Sequence, residues 1–109
     1  MLQSIGKEIY IDDENFIDLA TAISASGPAY VFLFVEALID AAIYLGAEPD
    51  IAYKLVTQTV LGSALLVNDS QKSPSELRKA VTSPGGGTAE ALNTFELSDF
   101  RGVIKEAVN

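Results

Sequence analysis

The chain has 109 residues, of which 49% are hydrophobic and 20% are charged, and its formal net charge at pH 7 is −8. The length suits one domain, and the composition is typical of a globular protein. The acidic balance argues against a nucleic-acid surface and against docking on anionic lipid, because both partners require clustered Lys and Arg. A small anion stays possible as a ligand, since a helix end can bind one without a basic side chain.

The chain contains neither Cys nor His. The absence of Cys excludes disulfides and thiolate metal sites, and a Ser–His or Cys–His nucleophile cannot form within this chain. Metal binding by carboxylates alone stays open, but no loop carries them in a metal-binding pattern, so no metal site is predicted. The N-terminus has no basic region followed by an apolar core, so we predict no secretory signal and a cytoplasmic location.

Residues 1–13 differ from the rest because apolar and polar side chains alternate there imperfectly, which is typical of a strand. A single strand is not stable alone, so we interpret this segment as the edge of something larger. From Asp13 or Glu14 the apolar spacing predicts a helix. It should end around residues 24–27, because the residue before Pro28 is disfavoured in helical angles.

A second helix is predicted over residues 28–45, beginning with a proline and ending at Gly46. Because it is apolar on nearly every face, it should be buried nearly all round, with Tyr30, Phe32 and Phe34 in the core.

Glu36 and Asp40 interrupt the apolar pattern of this helix, four residues apart and therefore on one side. We interpret them as a solvated edge and not as a catalytic pair, since no glycosidase or metal context accompanies them. A membrane span in a small membrane-active protein is the alternative interpretation. The two acids and the absence of flanking basic anchors argue against it.

A third helix is predicted over residues 49–67, where the small residues 62–64 would let another helix approach closely. Ser73 and Glu76 then have the spacing of a capping box, which starts a fourth helix over residues 74–83. The basic residues of that helix are expected to face solvent. A fifth helix is predicted from Thr88, and a sixth from a capping residue at Ser98.

The amount of apolar helix surface that must be buried predicts that the chain associates with a partner. Two helices that are apolar on nearly every face need more cover than four short amphipathic helices can supply in a domain of this size. The simplest cover is a second copy of the chain, because symmetric dimers dominate oligomers and obligate interfaces resemble a divided core. We therefore expect an all-α bundle of about six helices that forms an interleaved homodimer.

The segment VTSPGGGT, residues 81–88, interrupts this helical pattern. Consecutive glycines let backbone N–H groups approach a ligand, and the following helix start adds unpaired N–H groups and partial positive charge. Together they predict a site for a carboxylate or phosphate. The alternative is a tight turn without a ligand. A Walker or dinucleotide-binding loop is excluded, because no Lys follows the glycines and the preceding segment is not a strand.

Three segments in this order, SASGPAYVFLFVEAL, AYKLVTQTVLGSALL and SPSELRKAVTSPGGGTAEAL, resemble the C-terminal domain of pyrroline-5-carboxylate reductase. The similarity covers about residues 14–108, and ELRKAVTSPGGGTAEAL is the family's signature region. Three positions depart from the family pattern. Ala25 stands where the family usually has glycine, Gly87 where threonine or alanine is frequent, and Gln71 where some relatives have glutamate.

The resemblance implies a fold like the C-terminal domain of 6-phosphogluconate dehydrogenase, with residues 14–109 as a helical dimerisation and substrate-binding domain. Residues 1–13 would be the last strand of an N-terminal nucleotide-binding domain plus a linker. The complete enzyme would reduce 1-pyrroline-5-carboxylate to L-proline with NADPH or NADH, as a homodimer or a larger ring of dimers. The chain alone would bind no cofactor.

The resemblance also assigns a site. Ser83, Gly85, Gly86, Gly87 and Thr88 would bind the substrate carboxylate, and Thr88 would be the catalytic residue near the ring nitrogen. We expect its hydroxyl to orient and hydrogen-bond the imine rather than to donate a proton outright. The alternative function is a stand-alone helical oligomerisation module without catalytic activity.

Overall fold

The computed structural model describes residues 14–109, and all regular secondary structure in that part is helical. The all-α prediction is therefore confirmed, while the strand predicted within residues 1–13 lies outside the described residues. In chain order the helices are α1 (Glu14–Ala20), a π-helical segment (Thr21–Ala25), α2 (Gly27–Tyr44), α3 (Pro49–Asp69), α4 (Pro74–Ala80), α5 (Gly87–Leu97) and α6 (Phe100–Val108).

The junction between α1 and α2 is a π-helical turn and not a simple stop. The Ser26 N–H donates to the Thr21 carbonyl over five residues, at 3.1 Å, and the Thr21 hydroxyl donates to the Ile17 carbonyl at 2.9 Å. Pro28 lies in the first turn of α2, where its missing N–H costs nothing. The proline thus restarts the helix at the place where the sequence predicts a break.

The other end of α2 closes as a Schellman motif. Gly46 adopts a left-handed φ of +111° and donates its N–H to the Ile43 carbonyl, while Ala47 donates to the Ala42 carbonyl. Glycine suits this position because it has no Cβ to clash in the left-handed region. The predicted end of α2 at Gly46 is confirmed.

Helices α2 and α3 pack against each other and form the centre of the described part. Ala52 and Val56, one turn apart on α3, are its buried residues, with 0% and 5% of their surface exposed. A core of this size is far too small for helices this apolar. No neighbouring atom of the described part lies within 4 Å of a Cβ built at Gly62, so the close helix approach predicted there does not occur within one chain.

The aromatic residues of α2 lie outside this core. Phe32 is 65% exposed, Phe34 43% and Tyr30 37%, so the prediction that they form a core is wrong for the single chain. The physical reason is geometric, because α3 can cover only one side of a helix that is apolar on nearly every side. The remaining faces of α2 require cover from outside the chain. Glu36 and Asp40 are exposed, as a solvated edge should be.

Within the described residues, the stretch Asn15–Tyr44 is long and apolar enough to cross a membrane by length and composition alone. A helix that another protein chain covers meets the same criterion. The acids at positions 36 and 40 lie within this stretch and would be costly in a hydrocarbon core.

The short helix α4 begins with the predicted capping box. The Glu76 N–H donates to the Ser73 hydroxyl at 3.1 Å, and the Ser73 N–H donates to the Glu76 carboxylate at 2.9 Å. The bond from the Ser73 amide is the main reason why the pKa of Glu76 lies below its ordinary value. Because α4 ends at Ala80 and not at residue 83, residues 81–86 are free to form the connection to α5.

Helices α5 and α6 form a tight hairpin. Asp99 precedes α6 in a left-handed conformation, with φ of 57°, and no side chain caps that helix. The prediction of Ser98 as the cap of α6 is therefore wrong, since Ser98 instead ends α5. The rings of Phe95 and Phe100 contact each other across the turn, with their centroids 5.5 Å apart.

The capping box gives a direct test of the start of α4. We expect Ser73→Ala to lower the free energy of unfolding by about 1 kcal/mol, because the bond from the Glu76 N–H to the Ser73 hydroxyl at the helix start is lost. Ser75→Ala is the matched control, since Ser75 lies in the same first turn and its hydroxyl makes no hydrogen bond within the described residues. Urea unfolding of both variants at one protein concentration measures the difference. Equal stabilities would contradict the role of the box.

Candidate functional site

Residues 83–86 form a type II turn. Pro84 occupies its second position, Gly85 its third with φ of +74°, and the Gly86 N–H donates to the Ser83 carbonyl at 3.0 Å. Proline pre-sets the second position of such a turn, and glycine is favoured at the third, where φ must be positive. The segment before the turn is held as well, because the Thr82 hydroxyl donates to the Arg78 carbonyl at 2.6 Å.

The structural reason for glycine differs among positions 85, 86 and 87. Gly85 supplies the positive φ, whereas a Cβ on Gly86 would lie 3.3 Å from the Ser83 carbonyl oxygen, closer than side chains normally approach. A Cβ on Gly87 would meet no atom of the described part within 4 Å. The turn therefore favours glycine at positions 85 and 86, and nothing in the described part requires the third glycine.

Helix α5 presents unpaired backbone donors immediately after the turn. Gly86 is its N-cap residue, and the first helical bond runs from the Glu90 N–H to the Gly86 carbonyl at 3.2 Å. The N–H groups of Gly87, Thr88 and Ala89 consequently have no acceptor in the described part. They add to the partial positive charge at the helix N-terminus. Three adjacent donors of this kind can bind a carboxylate without a basic side chain.

The helix start differs from the predicted one. The sequence predicts that α5 begins at Thr88, with Thr88 as a possible cap, but α5 begins at Gly87 and its N-cap residue is Gly86. The reason is the turn, which delivers Gly86 in an extended conformation, with ψ of 176°, one residue before helical angles begin. Thr88 is therefore the second helical residue, where its hydroxyl does not cap the helix.

The hydroxyl of Thr88 differs from the other threonine hydroxyls because it makes no hydrogen bond within the described residues. Among residues 14–109 the other threonine hydroxyls each donate to the carbonyl four residues earlier, namely those of Thr21, Thr57, Thr59, Thr82 and Thr94. The side chain of Thr88 is exposed and makes no hydrogen bond there, and the same holds for Ser83. A donor that is not engaged internally thus lies beside three unengaged amides.

The far end of α5 carries the charged part of the region. A cleft of about 420 Å³ has an apolar wall formed by Phe34 of α2 and three residues of the α5–α6 hairpin, and its charged residues are Arg78, Glu96 and Arg101. Arg101 donates to both carboxylate oxygens of Glu96, and this hydrogen bonding holds the pKa of Glu96 below its ordinary range. Arg78 is exposed, as predicted, but borders this cleft.

The structure brings the predicted site residues together and changes two of their roles. Ser83, Gly85, Gly86, Gly87 and Thr88 are contiguous in one turn and helix start, but the Gly86 amide is committed to Ser83. The amide of Ala89 was not among the predicted donors. The sequence could have indicated both the bonded Gly86 amide and the unpaired Ala89 amide. A Pro-Gly pair at the centre of a turn places the next N–H in the hydrogen bond of that turn, so the unpaired N–H groups lie further along the chain. Within the described residues no acidic cluster could hold a metal ion.

Comparison with known proteins places these features in one family. Residues 14–109 match the family described as pyrroline-5-carboxylate reductase dimerisation. Over its whole length the chain is 41% identical to the pyrroline-5-carboxylate reductase of Pseudomonas aeruginosa and spans 40% of that relative. It superposes on 37% of the Coxiella burnetii pyrroline-5-carboxylate reductase with a TM-score of 0.88 and 41% identity, over 92% of the chain. The Plasmodium falciparum pyrroline carboxylate reductase with NADP bound gives a TM-score of 0.85 and 42% identity, over 88% of this chain and 37% of that one.

Alanine substitutions test whether the backbone needs glycine at position 85 and tolerates a side chain at position 87. We expect Gly85→Ala to lower the free energy of unfolding by about 1 to 2 kcal/mol, because an L-residue is strained at its positive φ. Gly87→Ala should leave it unchanged or raise it by less than about 1 kcal/mol, since Ala is the better helix former and has room. Thermal or urea unfolding without ligand compares the two. A Gly87→Ala variant as unstable as Gly85→Ala would contradict the turn geometry.

Proposed function

Because the chain belongs to the pyrroline-5-carboxylate reductase dimerisation family, we propose that it is the dimerisation and substrate-binding domain of an NAD(P)H-dependent reductase that converts 1-pyrroline-5-carboxylate to L-proline. The observation that carries the proposal is the row of unengaged donors at the start of α5. Three amides and one hydroxyl, all unpaired within the described residues, lie together where the chain matches its relatives. The substrate is a small ring with one carboxylate and one imine nitrogen, so it offers one group to each kind of donor.

The substrate carboxylate accepts hydrogen bonds from the amides of Gly87, Thr88 and Ala89. Their dipoles point at the anion in advance, so binding requires little reorganisation. Gly85 and Gly86 shape the turn, Gly87 leaves room for the ligand to approach, and the exposed Ser83 hydroxyl adds a donor at the rim.

The Thr88 hydroxyl donates to the ring nitrogen of the bound imine. This bond draws electron density from the C=N carbon, which becomes a better hydride acceptor, and it orients the ring while the carboxylate is held. The nicotinamide cofactor supplies the hydride when it is bound, and a proton reaches the nitrogen to give the secondary amine of proline. An unperturbed threonine hydroxyl is a poor acid, so Thr88 polarises and orients the imine and does not serve as the proton source.

The nucleotide belongs to a separate domain in this proposal. Residues 1–13 are the last strand of that domain and its linker, and residues 14–109 are the helical domain. The reductases of known structure that match this chain are more than twice its length, and the Plasmodium falciparum relative has NADP bound. These lengths leave room for a nucleotide-binding domain in the complete enzyme, which we place in the cytoplasm.

A second copy of the chain covers the apolar faces of α2. The family's description as a dimerisation domain and the exposure of Phe32, Phe34 and Tyr30 support an interleaved homodimer. The exposed apolar surface continues onto α3 at Leu61, Leu65 and Leu66. Burial of these side chains supplies the core that the single chain lacks. Such dimers would assemble further into a ring.

Gly86→Val tests the proposal in the complete reductase, the helical domain together with its nucleotide-binding domain. The Cβ of the new side chain would lie 3.3 Å from the Ser83 carbonyl oxygen and its two methyl groups crowd the turn further, so we expect the turn to shift and the amides to be displaced. We expect the KM for 1-pyrroline-5-carboxylate to rise at least about tenfold while the KM for NADPH stays unchanged. Sedimentation of the variant confirms that the dimer persists. Normal turnover would overturn the proposal and favour an oligomerisation module without catalytic activity.

Thr88→Val tests the hydroxyl, because valine has nearly the same shape and no donor. We expect kcat to fall on the order of 100-fold, as for the loss of one donor at a developing charge. Thr94→Val is the matched control on the same helix, since its hydroxyl is already bound to the Glu90 carbonyl. Steady-state kinetics of both variants decide the role. Equal kcat values for the two would show that the Thr88 hydroxyl does not act on the imine.

A further inference from the structure

Glu96 lies at the opposite end of α5 from the unpaired amides and is the most extensively bonded side chain of that helix. Arg101 Nε donates to its two carboxylate oxygens at 3.0 and 3.1 Å, and Arg101 Nη2 donates to Oε2 at 2.9 Å. Because the guanidinium is a planar fork, this bidentate contact fixes direction as well as distance. It joins α5 to α6.

A second guanidinium borders the same cleft and comes from the helix that precedes the glycine turn. Arg78, in the last turn of α4, borders the cleft that Glu96 and Arg101 line, and its charge adds to that of Arg101 in lowering the pKa of Glu96. The Arg78 guanidinium makes no hydrogen bond or ion pair of its own in the described part. Glu96 therefore binds Arg101 of α6 directly and shares its cleft with Arg78 of α4.

The α5–α6 hairpin resists adjustment at its turn. The Asp99 carboxylate lies so close over Gly102 that a Cβ at that residue would be 2.6 Å from the Asp99 Cγ. The Phe95 and Phe100 rings contact each other at the same turn. A movement of α6 is consequently transmitted to α5 through its C-terminal end.

We infer that Glu96 is a positioning residue for the carboxylate site: by binding Arg101 it joins α5 to α6, and this connection sets the direction in which the amides of residues 87–89 point. The inference rests on the proposed function. Glu96 is nine positions beyond Gly87, which is about 13 Å along a helix. A tilt of about 5° at that distance moves the amides by about 1 Å, which is enough to lengthen or misalign their hydrogen bonds to the substrate carboxylate.

Because the Glu96–Arg101 ion pair is exposed, a positioning role can be told apart from a contribution to stability. The side chains of Arg101 and Glu96 are 63% and 51% exposed. Exposed ion pairs contribute little to stability, since solvent screens them and side-chain ordering opposes them. Loss of the pair should thus affect ligand geometry more than unfolding.

The experiment compares Glu96→Gln with Glu106→Gln in the complete reductase. Glu106 is an exposed carboxylate on α6 without an ion pair in the described part, so its loss changes the net charge equally. We expect Glu96→Gln to raise the KM for 1-pyrroline-5-carboxylate about three- to tenfold, with kcat within twofold and the KM for NADPH unchanged. Its Tm should stay within about 4 °C of the control.

Arg101→Lys is the second variant, because it keeps the charge and loses the bidentate geometry. We expect it to raise the same KM by an intermediate factor. A substrate KM within twofold of the Glu106→Gln value would overturn the inference, and so would a parallel loss in kcat, both KM values and Tm. If Gly86→Val disables the enzyme and Glu96→Gln does not, the positioning role fails while the proposed function stands.

Discussion

The main constraint on this structure is the apolar surface of α2 that the rest of the single chain leaves exposed. This helix is apolar on nearly all faces, yet α3 covers only one side of it, and the buried residues of the described part are Ala52 and Val56. Hydrophobic burial is the dominant favourable term in folding, so a single chain with so small a core of its own gains little stability from burial. The fold is best understood as half of a core, with α4, α5 and α6 attached at its edge.

The glycine turn differs from α2, because neighbouring residues along the chain determine its geometry almost completely. Pro84 and Gly85 set the turn, the turn engages the Gly86 amide, and α5 begins with three donors unengaged. None of these steps requires a second chain. A binding element with its geometry set locally can retain its shape while the helices around it exchange intramolecular contacts for intermolecular ones.

Features that depend on neighbouring residues along the chain were predictable, and features that depend on packing were not. The capping box at Ser73 and the helix end at Gly46 follow from residue type and spacing, and the structure confirms both. The cap at Ser98 was wrong because α5 continues to Leu97, so that Ser98 ends α5 and Asp99, in a left-handed conformation, takes the N-cap position of α6. Burial of Phe32 could not be judged from one chain's sequence, since it depends on what lies beyond that chain. At the site, the contiguity of residues 83–88 was evident, whereas the commitment of the Gly86 amide needed the turn type.

The π-helical turn at Thr21–Ala25 acts as a phase shift. A π turn holds one residue more than an α turn, so it is equivalent to an insertion, and each residue of an α-helix corresponds to about 100° of rotation. The apolar stripe of α1 is therefore rotated about the helix axis relative to an uninterrupted continuation into α2. One extra residue lets two consecutive helical segments present their apolar side chains in different directions, with only Ser26 between them.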